Sequence, residues 1–208
     1  MLACCLLEDE FCQEADVSIS IRRATAADFE QIWAIFRPIV KTGETYAFDP
    51  DTPREQAYRL WMEAPLQTFV AEWNGQIVGT YYIKPNQPAL GAHVCNCGYM
   101  VAGSARGQGV ATLMCEHSQA VALKLGFKAM QFNLVVATNK EAIRLWQKLG
   151  FEIVGRLPGA FRHHSEGLVD AFVFYKWLDP VLPGEATPDQ SAAAAGTRNQ
   201  QPGTPDKS

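Results

Sequence analysis

The sequence lacks the strong excess of positive charge that binding to nucleic acid requires. Its 208 residues include 18 Lys and Arg against 22 Asp and Glu, which gives a formal net charge of −4. Proteins that bind DNA or RNA neutralise phosphates with clustered positive charge, so nucleic acid is not expected as a partner. With 48% apolar and 19% charged residues, the composition is that of a globular protein long enough for one sizeable core.

Long apolar runs are missing as well. No stretch reaches the roughly 20 apolar residues of a membrane-spanning helix, and no association with a membrane is expected. The N-terminal apolar run MLACCLL has no positive charge before it and is followed by the acidic residues Glu8, Asp9 and Glu10. This pattern argues against a secretory signal peptide and predicts a cytoplasmic protein.

Cysteine pairs with metal-binding spacing are also absent from the sequence. None of the six cysteines belongs to a C-x-x-C pair, and no histidine lies at zinc-finger spacing. Cys95 and Cys97 are two residues apart in a β-rich segment, so their side chains should share one face of a strand. We expect free, buried thiols in a reducing compartment and no metal cofactor.

Both ends of the chain are poor in residues that could form a core. Residues 1–17 have a mixed character and predict a flexible extension. Residues 181–208 are rich in Pro, Gly, Ala, Gln, Thr and Ser, and such a segment buries too little apolar surface to offset its ordering entropy, which predicts a disordered tail. The predicted folded domain therefore spans residues 18–180.

The segments between these ends alternate between predicted strands and helices. Thr25 with Asp28, and Thr52 followed by Pro53, are signals for the start of a helix, and Asn74-Gly75 predicts a tight hairpin turn. Strands are predicted over residues 18–22, 68–73, 76–83, 94–101, 129–136, 151–156 and 168–177, with two further helices over residues 109–125 and 140–149. This order predicts an α/β fold with a mixed, mostly antiparallel sheet of about seven strands and about four helices.

A glycine-rich loop between a predicted strand and a predicted helix carries the main functional signal. Residues 99–111 read Y-M-V-A-G-S-A-R-G-Q-G-V-A. The first N–H groups of a helix lack partners and carry partial positive charge, and small residues let an anion approach them closely. The segment therefore predicts a phosphate or diphosphate site. It is not a Walker loop, and Thr112 stands where a dinucleotide fingerprint needs Gly or Ala.

The same loop resembles the acetyl-CoA motif of the GNAT superfamily of N-acetyltransferases, V-x-x-x-x-[QR]-x-x-G-x-[GA], at Val101, Arg106, Gly109 and Ala111. A second family motif, N-x-x-A-x-x-L-[YW]-x-K-x-G-F, is matched over residues 139–151. The resemblance implies the GNAT fold, in which the sheet is splayed at its centre.

Acetyl-CoA is the cosubstrate that the resemblance implies. Its diphosphate would lie on the amides that open the central helix, and its pantetheine arm would pair with the preceding strand, where Gly98 is expected to form a bulge. Asn139 would reach the arm and also stands where it could cap the next helix. The residues expected to bind the cosubstrate are Met100, Val101, Arg106, Gly107, Gln108, Gly109, Val110, Ala111 and Asn139.

The acceptor side departs from the family pattern in two places. Many relatives use a Glu on the strand before the loop as general base, but residues 84–110 contain no carboxylate. His93, or a water held near Asn96, is the candidate base that remains. Where many relatives have a Tyr that protonates the leaving thiolate, this chain has Trp146, whose indole N–H is not a useful acid. His163 and His164 are expected to be solvated in a loop.

Two strand segments are similar to those of the fungal acetyltransferases that detoxify proline analogues such as azetidine-2-carboxylate. They read H-V-C-N-C-G-Y-M-V over residues 93–101 and F-N-L-V-V-A-T-N over residues 132–139. This resemblance implies that Asn96 helps to hold the carboxylate of the acceptor. It also implies that Asn133 or Asn139 donates a hydrogen bond to the thioester oxygen.

The loop of residues 43–51 resembles that of phosphinothricin-type acetyltransferases, and Glu44 and Tyr46 are expected to contact the acceptor. These resemblances imply direct transfer of an acetyl group to the amine of a small amino acid or analogue. A peptide or protein N-acetyltransferase and a CoA-binding module without turnover are the alternatives. An acyl-enzyme through Cys95 or Cys97 is disfavoured, because family members transfer directly. A homodimer is compatible with the resemblance, although no motif specifies one.

Overall fold

A seven-stranded mixed sheet forms the centre of the computed structural model, which describes residues 18–178. The predicted N-terminal extension and C-terminal tail lie outside these residues. The strands are β1 (Ser20–Arg23), β2 (Gln67–Trp73), β3 (Gln76–Pro85), β4 (Val94–Val101), β5 (Ala129–Val136), β6 (Glu152–His163) and β7 (Gly167–Trp177). The helices are α1 (Phe29–Lys41), α2 (Arg54–Tyr58, continued by a wider π turn to Glu63), α3 (Val110–Lys124) and α4 (Lys140–Lys148). The predicted α/β fold is confirmed.

The strand order is β1-β2-β3-β4-β5-β7-β6, and every neighbouring pair is antiparallel except β4 and β5. This parallel pair is joined only at Val94–Ala129 and Cys95–Met130. Beyond these two pairs the strands diverge, so the sheet opens at its centre. The splay expected from the family resemblance is therefore present.

The expected bulge at Gly98 is wrong. Gly98 pairs with Tyr82 of β3 in an unbroken register, and a Cβ atom at this glycine would lie 2.6 Å from Cε1 of Tyr82. The glycine is therefore needed for close packing of the tyrosine ring. The register shift lies in β5 instead, between Phe132 and Val135 where this strand pairs with β7.

The two faces of the sheet have separate apolar cores. On one face α1 and α2 bury Phe36 and Trp61 against Met100 of β4. On the other face α3 packs Val110 and Met114 against the sheet. Among the described residues, no helix has the length and apolar character needed to cross a membrane.

Local sequence signals set the ends of the elements. The Asp28 carboxylate accepts hydrogen bonds from the Thr25 backbone N–H at 2.7 Å and from the Arg22 guanidinium at 2.8 Å, so the predicted start signal is confirmed. Asn74 and Gly75 adopt φ values of 51° and 75°, as the predicted hairpin turn requires. At α2 the first helical residue is Arg54, because Pro53 itself takes the extended cap conformation.

The prediction of a solvated loop is wrong for His163. Strand β6 continues to this residue, which pairs with Gly167 and is only 7% exposed. Its Nδ1 lies 3.3 Å from the backbone nitrogens of Ser165 and Glu166. Because β6 is longer than its apolar pattern indicated, the turn begins only at His164, which is exposed.

Candidate active site

A cavity of about 410 Å³ occupies the gap between the diverging strands β4 and β5. Its walls come from residues 96–99 and 101 of β4, residues 132–136 of β5, and Asn139, Ala142 and Trp146 at and in α4. The loop of residues 45–48, together with Tyr82 and Lys84 of β3, Ile39 of α1 and Arg106, completes the wall. The cavity thus extends along β4 from Arg106, in the loop before α3, to Asn96, which follows the two pairs that join β4 to β5.

The glycine-rich loop before α3 is open to solvent. Gly107 and Gly109 have φ values of 77° and 78°, and no atom of residues 18–178 outside the adjoining chain lies within 4 Å of a Cβ placed at either residue. Arg106 and Gln108 are exposed, while the Val110 side chain is buried in the core and fixes the start of the helix. The backbone amides at this helix N-terminus are therefore accessible to an anion.

The other residues expected to contact the cosubstrate differ in how they face the gap. Val101 is partly exposed and lines the cavity, as does Arg106. The side chain of Met100 is buried in the core formed with α1 and α2, and Met100 is not among the described residues of the cavity wall. Ala111, the second residue of α3, is partly exposed.

Asn139 caps α4 and lies in the wall of the cavity. Its Oδ1 accepts a hydrogen bond from the backbone N–H of Ala142 at 3.1 Å, so the side chain caps α4. The residue also lines the cavity. Because the cap uses only the amide oxygen, the amide N–H groups stay available for a ligand.

Trp146 is part of an aromatic cluster at the base of the cavity. Its ring is 8% exposed and lies 5.2 Å from the ring of Tyr99 and 4.9 Å from that of Phe132. Phe151 stacks on Phe132 at 4.5 Å. This packing explains a large aromatic residue at position 146 without any proton transfer.

The loop of residues 45–48 closes the opposite side of the cavity. Tyr46 stacks on Phe48 at 5.5 Å and donates a hydrogen bond from its hydroxyl to the Tyr99 carbonyl at 2.7 Å. Burial raises the pKa of Tyr46 well above its ordinary value. The side chain of Glu44 is exposed and takes no part in the wall, because it points away from a loop that turns its aromatic residues inward. Glu44 is therefore not brought to the site.

Asn96 and Tyr82 form a hydrogen-bonded pair in the wall. The Tyr82 hydroxyl donates to Oδ1 of Asn96 at 3.3 Å, and Nδ2 of Asn96 donates to the Gln131 carbonyl at 2.8 Å. Asn96 is buried, and this hydrogen bond spans the start of the gap between β4 and β5. One N–H of its amide is left for a ligand.

Asn133 lies at the register shift of β5. Its Nδ2 donates to Oδ1 of Asn86 at 2.7 Å, and its Oδ1 accepts from Nε2 of Gln131 at 2.8 Å. A bulge next to a cavity re-aims side chains, and here it presents Asn133 to the wall. The two hydrogen bonds fix the amide and leave one N–H for a ligand.

His93 is not brought to the cavity. It is exposed and precedes β4, at the end of the strand where β4 is still paired with β5. The sequence neighbourhood of Asn96 suggested a shared site, but the gap opens only after Cys95. His93 has therefore no geometric support as a base.

The sequence analysis missed two polar residues of the wall. Thr45 has a buried hydroxyl with no hydrogen-bond partner among the described residues. Nζ of Lys84 lies 5.4 Å from the ring centroid of Tyr82. A signal for Lys84 was present in the K-P-N segment of residues 84–86, which is similar to that of the fungal acetyltransferases that act on proline analogues.

The electrostatic character of the wall is unusual for a site of proton transfer. Its described residues include two cations, Lys84 and Arg106, and no Asp, Glu or His. Burial raises the pKa of Tyr82 to about 12 and that of the Cys97 thiol well above its ordinary value. Neither group would be ionised near neutral pH, so neither is suited to act as a base or nucleophile there.

Comparison with known proteins gives a consistent result. The model of the acetyltransferase (GNAT) family matches residues 29–151. N-acetyltransferase aca1 of Schizosaccharomyces pombe is 34% identical in an alignment of 160 residues that covers 69% of this chain and 76% of that protein.

Two solved structures extend the comparison. A GCN5-related N-acetyltransferase from Kribbella flavida is 43% identical, with a TM-score of 0.73 over 76% of this chain and 97% of its own. A phosphinothricin acetyltransferase from Sinorhizobium meliloti, solved in complex with acetyl-CoA, is 23% identical, with a TM-score of 0.68 over 83% of this chain and 97% of its own. The latter similarity bears on the fold alone.

Proposed function

The chain belongs to the acetyltransferase (GNAT) family, and from this premise we propose that it transfers the acetyl group of acetyl-CoA directly to the amine of a small amino acid or amino-acid analogue. The observation that carries the proposal is the cavity between β4 and β5. One end meets an open, glycine-rich helix N-terminus, and the wall is lined by aromatic residues and amides.

The cosubstrate fits the end of the cavity near α3. The exposed amides of residues 106–111 would bind the diphosphate, assisted by the Arg106 guanidinium. The free edge of β4 at Val101 would pair with the amide groups of the pantetheine arm, and the Asn139 amide would donate to that arm. When bound, acetyl-CoA supplies the activated acetyl group.

Asn133 is the proposed donor to the thioester oxygen. It lies on β5 between the two ends of the cavity, and its amide is held by Asn86 and Gln131. A donor fixed before the reaction stabilises the negative charge that develops on the oxygen without reorganisation. Asn139, whose Oδ1 caps α4 and whose amide N–H groups stay free, is assigned to the pantetheine arm.

The chain offers positioning rather than a strong acid or base. With no Asp, Glu or His among the described wall residues, the acceptor amine would lose its proton to water near Asn96. The high pKa of Cys97 argues for direct attack by the amine on the thioester. Trp146 would not protonate the leaving thiolate, and a thiolate with a pKa near 8.5 leaves without such help.

The aromatic loop at the cavity supports a small acceptor. Tyr46 and Phe48 line the wall, and Tyr46 is tied to β4 through the Tyr99 carbonyl. A peptide would need an open channel along this loop. The similarity of residues 93–101 and 132–139 to the fungal enzymes that act on proline analogues favours azetidine-2-carboxylate and related imino acids as the first acceptors to test.

A thiol-release assay with acetyl-CoA tests the proposal. The panel contains azetidine-2-carboxylate, proline, phosphinothricin, the standard amino acids, and peptides with a free α-amine or lysine. We expect turnover with one or more amino acids or analogues. Turnover confined to peptides would refute the acceptor class, and acetyl-CoA binding by calorimetry without turnover of any acceptor would favour a binding module.

A further inference from the structure

Lys84 places a positive charge in the wall of the cavity, on the side away from the glycine-rich loop. We propose that this ammonium group binds the carboxylate of the acceptor, so that the enzyme selects amines that carry a free carboxylate close to the nitrogen. The inference deepens the proposed function and rests on it. It assigns the recognition of the carboxylate to a residue to which the sequence analysis gave no role.

The strand register places Lys84 beside the polar residues of the wall. Lys84 and Asn96 are direct partners across β3 and β4, and directly opposed residues of an antiparallel pair project from the same face. Tyr82, two residues earlier on β3, has the same orientation and carries the ammonium over its ring. The Lys84 ammonium and the free N–H of Asn96 can therefore reach one carboxylate together.

The charge of Lys84 has no anionic partner among the described residues. Its contact with the ring of Tyr82 is a cation–π interaction, and the lysine is only partly exposed. Several other cations of the described part are paired with a carboxylate, namely Arg22, Lys41, Arg54, Arg59 and Arg156. A partly buried cation without a counter-ion is unfavourable, and a bound carboxylate would supply that counter-ion.

A second observation at the same cavity points to a ligand. The buried hydroxyl of Thr45 lacks a hydrogen-bond partner in the described part of the chain, although buried polar groups are nearly always paired. Thr45 adjoins Tyr46 in the loop that closes the cavity. A polar acceptor substrate would supply the hydrogen-bond partner that this hydroxyl lacks, as it would supply a counter-ion for the Lys84 ammonium.

Distance along β4 separates Lys84 from the proposed diphosphate site. Lys84 is level with Asn96, and Arg106 follows the end of the strand at Val101. Five residues of strand span about 16 Å. The two cations of the wall are thus assigned to two different anions, and the acceptor end would disfavour a cationic lysine side chain of a peptide.

Paired acceptors that differ only in the carboxylate test the inference. The probes are azetidine-2-carboxylate and its carboxamide, then proline and prolinamide, with rates corrected for the fraction of neutral amine. We expect the wild-type enzyme to prefer each acid by at least about 10-fold in kcat/KM. Lys84→Met should lower kcat/KM for the acids about 10- to 100-fold through KM, change the amides less than about 3-fold, and leave the KM for acetyl-CoA unchanged.

Two further variants complete the design. Lys84→Arg keeps the charge and should retain most of the preference for the acid. Lys124→Met removes a charge from an exposed position on α3 outside the cavity wall and should behave as wild type. Thermal unfolding of each variant checks that the fold is intact.

The outcomes separate the inference from the function beneath it. Unchanged kinetics of Lys84→Met with the acids, or equal use of acid and amide by the wild-type enzyme, would overturn the role of Lys84 while the acetyl transfer to small amines stands. If the wild-type enzyme binds acetyl-CoA but acetylates none of the four probes or the wider panel, the proposed function fails, and the inference falls with it.

Discussion

Gly98→Ala is the substitution whose effect follows most directly from the geometry. The added Cβ would lie 2.6 Å from Cε1 and 2.9 Å from Cζ of Tyr82, whereas carbon atoms in contact are normally about 3.5–4.0 Å apart. The ring has little room to retreat, because it lies 4.9 Å from the ring of Trp61. Trp61 is fully buried and donates a hydrogen bond to Thr80 at 3.0 Å.

The magnitude follows from the cost of overpacking a core. A shortfall of about 1 Å against a confined ring should destabilise the protein by about 1–3 kcal/mol. For a chain of this size each 1 kcal/mol lowers Tm by about 2–4 °C. Displacement of Tyr82 would also loosen its hydrogen bond to Asn96, so the KM for the acceptor should rise while the affinity for acetyl-CoA is kept.

Gly103→Ala provides the matched control. In the described part of the chain, no atom beyond the neighbouring residues lies within 4 Å of a Cβ at Gly103, and the φ of Gly103 is not in the left-handed region. The free energy of unfolding of this variant should therefore change by no more than about 0.5 kcal/mol. The assay is urea unfolding of both variants together with acceptor kinetics. Adding Tyr82→Leu to Gly98→Ala should recover part of the loss. Equal stability of the two alanine variants would refute the reasoning.

Four further predictions concern separate parts of the site and fold. Thr112→Glu should weaken acetyl-CoA binding by about 10-fold or more in calorimetry. It should not destabilise α3, because a carboxylate is favourable at the N-terminus of a helix. The control Thr112→Gln should bind acetyl-CoA nearly as wild type, and equal affinities of the two variants would contradict the diphosphate site. Asn133→Ala should lower kcat about 10²–10³-fold with little change in KM, and a normal kcat would remove Asn133 from the mechanism. Trp146→Phe, which keeps the aromatic packing, should retain kcat within about 3-fold; a loss above about 100-fold in steady-state assays would reinstate position 146 in proton transfer. Asp28→Asn should lower the free energy of unfolding by about 1.5–3 kcal/mol at pH 7. Because Arg22 holds the pKa of the Asp28 carboxyl well below its usual range, the stabilisation by this carboxylate is present above about pH 4 and is lost as pH falls further. In urea unfolding the difference in stability between wild type and variant should therefore narrow below about pH 4, and a difference independent of pH would contradict this reading.

The features that the sequence predicted well depend on local patterns. Strands β4 and β5 begin and end at the predicted residues, since each is a β-rich run bounded by loop residues. The open loop at Gly107 and Gly109 was predictable because its accessibility is a property of small residues at a helix start. The hairpin at Asn74-Gly75 follows for the same reason.

The features that the sequence did not predict depend on contacts between distant segments. A glycine in a strand indicates either a bulge or a close approach, and only the register with Tyr82 decides between them at Gly98. His93 precedes the predicted substrate residue Asn96 by only three positions, but the gap in the sheet begins between these two residues. Lys84 and Thr45 join one cavity from segments 39 positions apart in the chain, a proximity that no local pattern encodes.

The opening in the sheet is bounded by side chains as much as by backbone. Past the two residue pairs that join β4 to β5, the rings of Tyr99, Phe132 and Trp146 lie in contact under the gap. A larger ring would narrow the passage and a smaller one would widen it, while the strands of each half-sheet keep their hydrogen bonds. The range of molecules admitted could therefore diversify between relatives through a few bulky positions, with no cost to the strand pairing that sustains the architecture.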